Sequence, residues 1–106
     1  MVEGDPGIAA LLDAARVDFA RGLPAKVAAV EAHVADGAFA DAKRAAHKLR
    51  GSAGMFGYTN LGRIAGEIDD LMNEATGVDG EAGRARLHAL VAQLGAEAAC
   101  PEGGGT

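Results

Sequence analysis

The residues of this chain best suited to chemistry lie in one short segment around His47. Gly51 follows His47 by four residues, so in a helix the two lie on the same face, one turn apart. A glycine inside a helix costs about 1 kcal/mol relative to alanine, and its missing side chain leaves space over the imidazole. A neutral imidazole is a good nucleophile near pH 7. This spacing therefore suits transient covalent phosphorylation of His47.

Basic residues surround His47 although the formal net charge of the chain is −5. Four of the ten Lys and Arg residues lie close to it in sequence: Lys43, Arg44, Lys48 and Arg50. Such cations can screen the negative charge of a phosphoryl group or dock an acidic partner. A run of basic residues is also common on a plain solvated helix face, and a lone helical histidine is usually a solvent-edge residue without a role. Gly51, which lies beside His47 on the helix face, is what favours a functional interpretation.

Helices must position these residues, because the chain is rich in alanine and its apolar residues recur at helical spacing. The apolar stripes predict four main helices over about 24–35, 38–54, 58–75 and 81–99. Another stripe predicts a helix over 7–21 that either covers one end of the bundle or extends the first main helix. Gly22 interrupts the helical pattern after this stripe, and Pro24 suits the first turn of the main helix over 24–35. Short connections favour antiparallel neighbours. The predicted fold is all-α, an antiparallel up-down four-helix bundle with an additional N-terminal helix.

The length of 106 residues fits one domain. We expect a single bundle over residues 1–100 and a flexible, glycine-rich tail over 101–106. The first residues do not resemble a signal peptide, and no apolar run approaches the roughly 20 residues that span a bilayer. The single cysteine, Cys100, leaves no partner for an internal disulfide and indicates a reducing compartment. We therefore expect a cytoplasmic monomer.

Composition also argues against several classes of function. An acidic chain with only 4% aromatic residues is a poor binder of nucleic acid or of anionic membrane. No set of His, Cys, Asp and Glu residues has convincing metal-ligand spacing. The other two histidines, His33 and His88, lie beside the apolar stripes of their helices, and we expect them on the surface.

The segment Ala46-His47-Lys48-Leu49-Arg50-Gly51-Ser52-Ala53, followed by Phe56-Gly57, Leu61 and Glu67, strongly resembles the histidine-containing phosphotransfer (HPt) family. The family pattern is roughly A-H-x-L-K-G-S-A, and Arg50 stands where lysine is usual. The resemblance covers about residues 19 to 75. It implies a four-helix bundle with an exposed phosphoryl-accepting histidine on the second bundle helix. It also implies that the chain uses no ATP. Members of the family take a phosphoryl group from an aspartyl phosphate on one receiver domain and pass it to another receiver domain.

The resemblance further implies roles for individual residues. His47 would be the acceptor through Nε2, Lys48 and Arg50 its charge partners, and Gly51 the space for an approaching receiver. The family position that matches Asp69 is often Gln or another polar residue that binds the imidazole Nδ1, so Asp69 either orients the ring or points to water. Gly62 and Gly66 share a stripe with Asp69, and they either permit close helix packing or are tolerated defects.

The predicted function is a phosphoryl carrier without kinase activity of its own. Its expected partners are response-regulator receiver domains, with a hybrid histidine kinase as a further candidate, and Mg²⁺ is expected on the receiver only. One alternative is an interaction module that docks a receiver or kinase without carrying phosphate. A small histidine-dependent phosphatase ranks last, because Asp69 is the only evident second catalytic group.

Overall fold

A computed structural model describes residues 6–74 and 78–99. Four helices follow one another along the chain: α1 (Pro6–Ala35), α2 (Phe39–Met55), α3 (Thr59–Asn73) and α4 (Glu81–Ala99). The predicted all-α bundle is confirmed, and the starts and ends of α2, α3 and α4 agree with the predicted ones to within two residues. The predicted flexible tail at 101–106 lies outside the described residues.

Two tight turns set the directions of the first three helices. The connections α1–α2 and α2–α3 are each three residues long, and each contains a glycine with positive φ, Gly37 at 73° and Gly57 at 84°. After Gly57, the Tyr58 N–H donates to the carbonyl of Ala53 at 2.8 Å, and the turn at Gly37 repeats this pattern. These are Schellman motifs, which satisfy the last carbonyls of a helix and reverse the chain. Helices in contact across such short turns must run antiparallel.

The first helix is longer than the sequence predicts. The expected separate N-terminal helix is not present, because α1 continues without a break from Pro6 to Ala35 and contains Pro24. The segment at 7–21 thus extends the first main helix, which was one of its two predicted arrangements. Proline removes one backbone hydrogen bond from a helix. Leu23 and Val27 on either side of Pro24 are buried, and their packing offsets that loss.

The apolar stripes of the four helices meet in one core. Helix α1 contacts α2 and α4, and α3 contacts the same two helices, so the bundle is closed on all four sides. The largest fully buried side chains come from every helix: Val30, Leu49, Leu61, Ile68, Leu87, Leu90 and Leu94. The start of α1 differs, since residues 7–18 are exposed throughout. The core therefore fixes the rotation of α2 and α3 about their axes and determines which side chains face outward.

Candidate functional site

His47 lies on the outer face of α2 because the neighbouring residues hold the helix against the core. Ala46 is fully buried and Leu49 is 2% exposed. His47 is one residue beyond Ala46, about 100° further around the helix, and its side chain is 72% exposed. The imidazole is thus open to a partner while its helix is anchored.

A buried carboxylate on α3 holds the inner nitrogen of this ring. Asp69 Oδ2 lies 2.8 Å from His47 Nδ1, and the Asp69 side chain is 3% exposed. Since the oxygens of an ionised carboxylate can only accept hydrogen bonds, Nδ1 donates. In the neutral ring this leaves the lone pair on Nε2. The structure therefore brings together His47 and Asp69, 22 residues apart in sequence, in an arrangement that presents a nucleophilic nitrogen.

Arg50 also reaches Asp69, crossing from α2 to α3. Its Nη1 lies 3.5 Å from Asp69 Oδ2 and 3.3 Å from Asp70 Oδ1. The side chain passes over Gly66, where a Cβ atom would lie 3.1 Å from Arg50 Nε. Sequence reasoning placed Arg50 toward a phosphoryl group or partner and did not identify Asp70. The sequence did contain a sign of this contact, because Gly66 precedes Asp69 and Asp70 by three and four residues and all three therefore lie on the same face of α3.

The remaining cations around His47 line more than one groove on the surface of α2, and Arg44 and Lys48 share one of these grooves with His33. Lys43 and Arg44 line an open groove between α2 and α3 together with His47, Arg50 and Asp69. Lys48 does not line this groove but a smaller apolar one on the α1 side of α2. Arg44 pairs with Asp41 at 3.1 Å on the surface. Within residues 6–74 and 78–99, no carboxylate lies within ion-pair distance of Lys43 or Lys48, so both ammonium groups are available to an acidic partner.

Bare backbone continues from His47 along the exposed face of α2. A Cβ atom built at Gly51 or at Gly54 would meet nothing within 4 Å. Nothing in the described part of the fold therefore requires glycine at either position. Gly62 on α3 faces α2 at close range, since its Cβ would lie at an ordinary contact distance of 3.5 Å from the backbone oxygen of Arg50. Of the two interpretations left open for the α3 glycines, close helix packing fits Gly62, whereas Gly66 makes room for a side chain.

The described residues contain no cluster of three or more His, Cys, Asp or Glu side chains that could hold a metal ion. His88 is exposed and His33 is half-buried, and neither lines the groove beside His47. None of the helices in the described ranges is both long and apolar enough to cross a membrane.

Comparison with known proteins adds a family assignment to this geometry. The model of the Hpt domain family matches residues 14–97, which is most of the chain. The matched range contains His47, Gly51 and Asp69. No curated protein and no solved structure matches the chain.

Proposed function

The chain belongs to the Hpt domain family, whose members carry out histidine phosphotransfer in two-component phosphorelays, and from this premise we propose that His47 is its phosphoryl-accepting residue. The chain would take a phosphoryl group from the aspartyl phosphate of one receiver domain and pass it to another. The observation that supports this most directly is the 72% exposed imidazole whose Nδ1 is held 2.8 Å from a buried carboxylate.

The transfer step needs no base on this chain. The lone pair on His47 Nε2 attacks the phosphorus atom, the N–P bond forms, and the bond from phosphorus to the receiver's aspartyl oxygen breaks. The receiver's carboxylate leaves with the electron pair. Nε2 carries no proton to lose, and the ring becomes cationic while Nδ1–H stays bonded to Asp69. Asp69 orients the ring by accepting this hydrogen bond.

The charges around the site suit an acidic partner. Receiver domains hold a carboxylate cluster with Mg²⁺, which stabilises charge on the transferring group. Lys43 and Arg44 in the groove beside His47, and Lys48 on the α1 side of α2, would offer positive charge to such a surface. Complementary charge of this kind raises the rate of association. This chain then needs to supply only a positioned nucleophile and enough space beside it for the receiver to approach. ATP has no role in this scheme, and the carrier is proposed to work as a cytoplasmic monomer.

Gly51 supplies the space for the receiver. Because a Cβ at this position would meet nothing in the described fold, the glycine is unexplained by internal packing. An approaching receiver would come within contact of the α2 backbone at this point. This accounts for a helix-destabilising residue one turn from His47.

The test is phosphoryl transfer from a receiver charged with a small-molecule phosphodonor. We expect acid-labile, base-stable label on the wild type and none on His47→Ala. His88→Ala is the matched control, since it removes an exposed histidine from α4 and should be labelled as the wild type is.

The competing function is a docking module that carries no phosphate. It predicts binding of receivers by the wild type and by His47→Ala with no label on either. That result, obtained with several receivers, would refute the carrier function. The contact between His47 Nδ1 and Asp69 is not needed for docking alone, whereas a carrier uses it to orient the nucleophile, and this favours the carrier.

A further inference from the structure

We propose that Arg50 acts on phosphotransfer through Asp69, and that Gly66 and Asp70 are positioning residues that hold it there. In this arrangement Asp70 anchors the guanidinium across bare Gly66, and Arg50 balances the negative charge that Asp69 places beside the imidazole of His47. The inference rests on the proposed function, since it assumes that His47 accepts the phosphoryl group.

The path of the Arg50 side chain depends on glycine at position 66. A Cβ there would lie 3.1 Å from Arg50 Nε and 3.3 Å from its Cδ. Both distances are shorter than ordinary van der Waals contact, so a Cβ would push the Arg50 side chain outward by a few tenths of an ångström, and a large side chain such as leucine would displace it further. With glycine in place, the guanidinium lies within ion-pair distance of Asp69 and Asp70 at the same time. Gly66 is therefore the feature of α3 that lets Arg50 lie against it.

Asp69 needs a cation more than an exposed carboxylate does. It is 3% exposed, and its Oδ1 is buried with no hydrogen-bond partner in the described part of the chain. A buried carboxylate is costly unless it is paired. The Asp69 Oδ2 atom has two partners within 4 Å there, the His47 ring, which must be neutral to act as a nucleophile, and Arg50. Arg50 thus supplies the permanent positive charge.

The balance matters most when the phosphoryl group is on the ring. That group is itself anionic, so it forms on an imidazole whose other nitrogen already touches a carboxylate. With Arg50 in place, the His47–Asp69 pair orients the ring without an uncompensated negative charge nearby. Without Arg50, the same carboxylate would repel the incoming group. With its charge balanced by Arg50, the Asp69 carboxylate can orient the His47 ring in the way that a neutral side-chain amide would.

A double-mutant cycle separates this role from direct action of Arg50 on the phosphoryl group. The rate constant for transfer at saturating receiver is measured for wild type, Arg50→Gln, Asp69→Asn and the double variant. Asn at position 69 keeps an oxygen that accepts the Nδ1–H bond but removes the charge. We expect Arg50→Gln to slow transfer about tenfold in the wild type, because the buried Asp69 carboxylate loses the cation 3.5 Å away and keeps its charge. In the Asp69→Asn background we expect less than about a threefold effect, because no charge remains to be balanced.

An equal loss in both backgrounds would overturn the inference, because Arg50 would then act independently of Asp69. A wild type that takes no label would overturn the proposed function itself, and the inference with it. The two failures are therefore distinguishable. Receiver affinity, measured separately, should change little in any of the four proteins.

Asp70→Asn tests the anchor without disturbing the core, since this side chain is 67% exposed. We expect it to slow transfer about two- to threefold, in line with an exposed ion pair. The matched control is Asp41→Asn, which removes the same charge from the exposed pair with Arg44 and should leave the rate unchanged. Gly66→Leu should match Arg50→Gln in rate, although leucine favours helix more than glycine does. Equal effects of the two aspartate variants, or a Gly66→Leu protein that transfers normally, would overturn the positioning role.

Discussion

Replacing Gly51 with alanine should make the folded protein more stable, and this result would show that the fold itself does not require glycine at this position. A Cβ at position 51 would meet nothing within 4 Å, so the substitution removes the helix penalty of glycine without adding a clash. We expect the free energy of unfolding to rise by about 0.5–1 kcal/mol. For a domain of this size the melting temperature should rise by roughly 2–8 °C.

Gly57 provides the matched comparison, because a Cβ there would also meet nothing within 4 Å. It differs in backbone conformation, with φ at 84°. An alanine in that left-handed region costs about 1–2 kcal/mol. Gly51→Ala and Gly57→Ala should therefore move stability in opposite directions, although both add one methyl group at an open position.

The assay is urea unfolding of the three proteins followed by circular dichroism, together with transfer kinetics for Gly51→Ala and Gly51→Leu. We expect Gly51→Leu to stay folded yet to transfer roughly tenfold more slowly, since an overpacked contact costs about 1–3 kcal/mol. Destabilisation by Gly51→Ala would mean that the fold itself needs this glycine. Normal transfer by a stable Gly51→Leu protein would mean that no partner comes close at this point. Either result would refute the reasoning.

Three other predictions concern the nucleophile, the cations and the core. Asp69→Ala should slow transfer from a charged receiver at least tenfold with little change in receiver affinity, because the His47 ring loses a charged hydrogen bond; a large loss of affinity instead would contradict this. Lys43→Gln combined with Lys48→Gln should lower the association rate in stopped-flow experiments, and added salt should slow the wild type more than this variant. Leu90→Ala should lower the free energy of unfolding by about 2–5 kcal/mol in urea titrations, since the side chain is 1% exposed in the core.

Local spacing predicted the parts of this molecule that depend on helix geometry alone. The apolar stripes identified the helices, and the gaps between the predicted ranges 24–35, 38–54 and 58–75 coincide with the two turns of the structure. The neighbouring positions of His47 and Gly51 on one face follow from 3.6 residues per turn. The exposure of His47 follows from its place one residue beyond the buried stripe. None of these features needs information about another helix.

The continuity of α1 could not be predicted in the same way. Gly22 and Pro24 are both unfavourable inside a helix, so local preference favours a break there. The structure keeps one helix because Leu23 and Val27 on either side of Pro24 are buried in the core. Tertiary packing outweighs the local preference at this position.

The sequence by itself determined the helices, the turns, the exposed histidine and the bare backbone beside it, since each of these depends on residues within about one or two turns. Only the tertiary structure decided that Asp69 contacts the Nδ1 atom of His47 and that Arg50 crosses Gly66 to reach Asp69 and Asp70. Contacts between helices depend on the rotation of each helix, and a shift of one residue turns a side chain by about 100°. That rotation is set by the packing of the whole core, which no short segment of sequence contains.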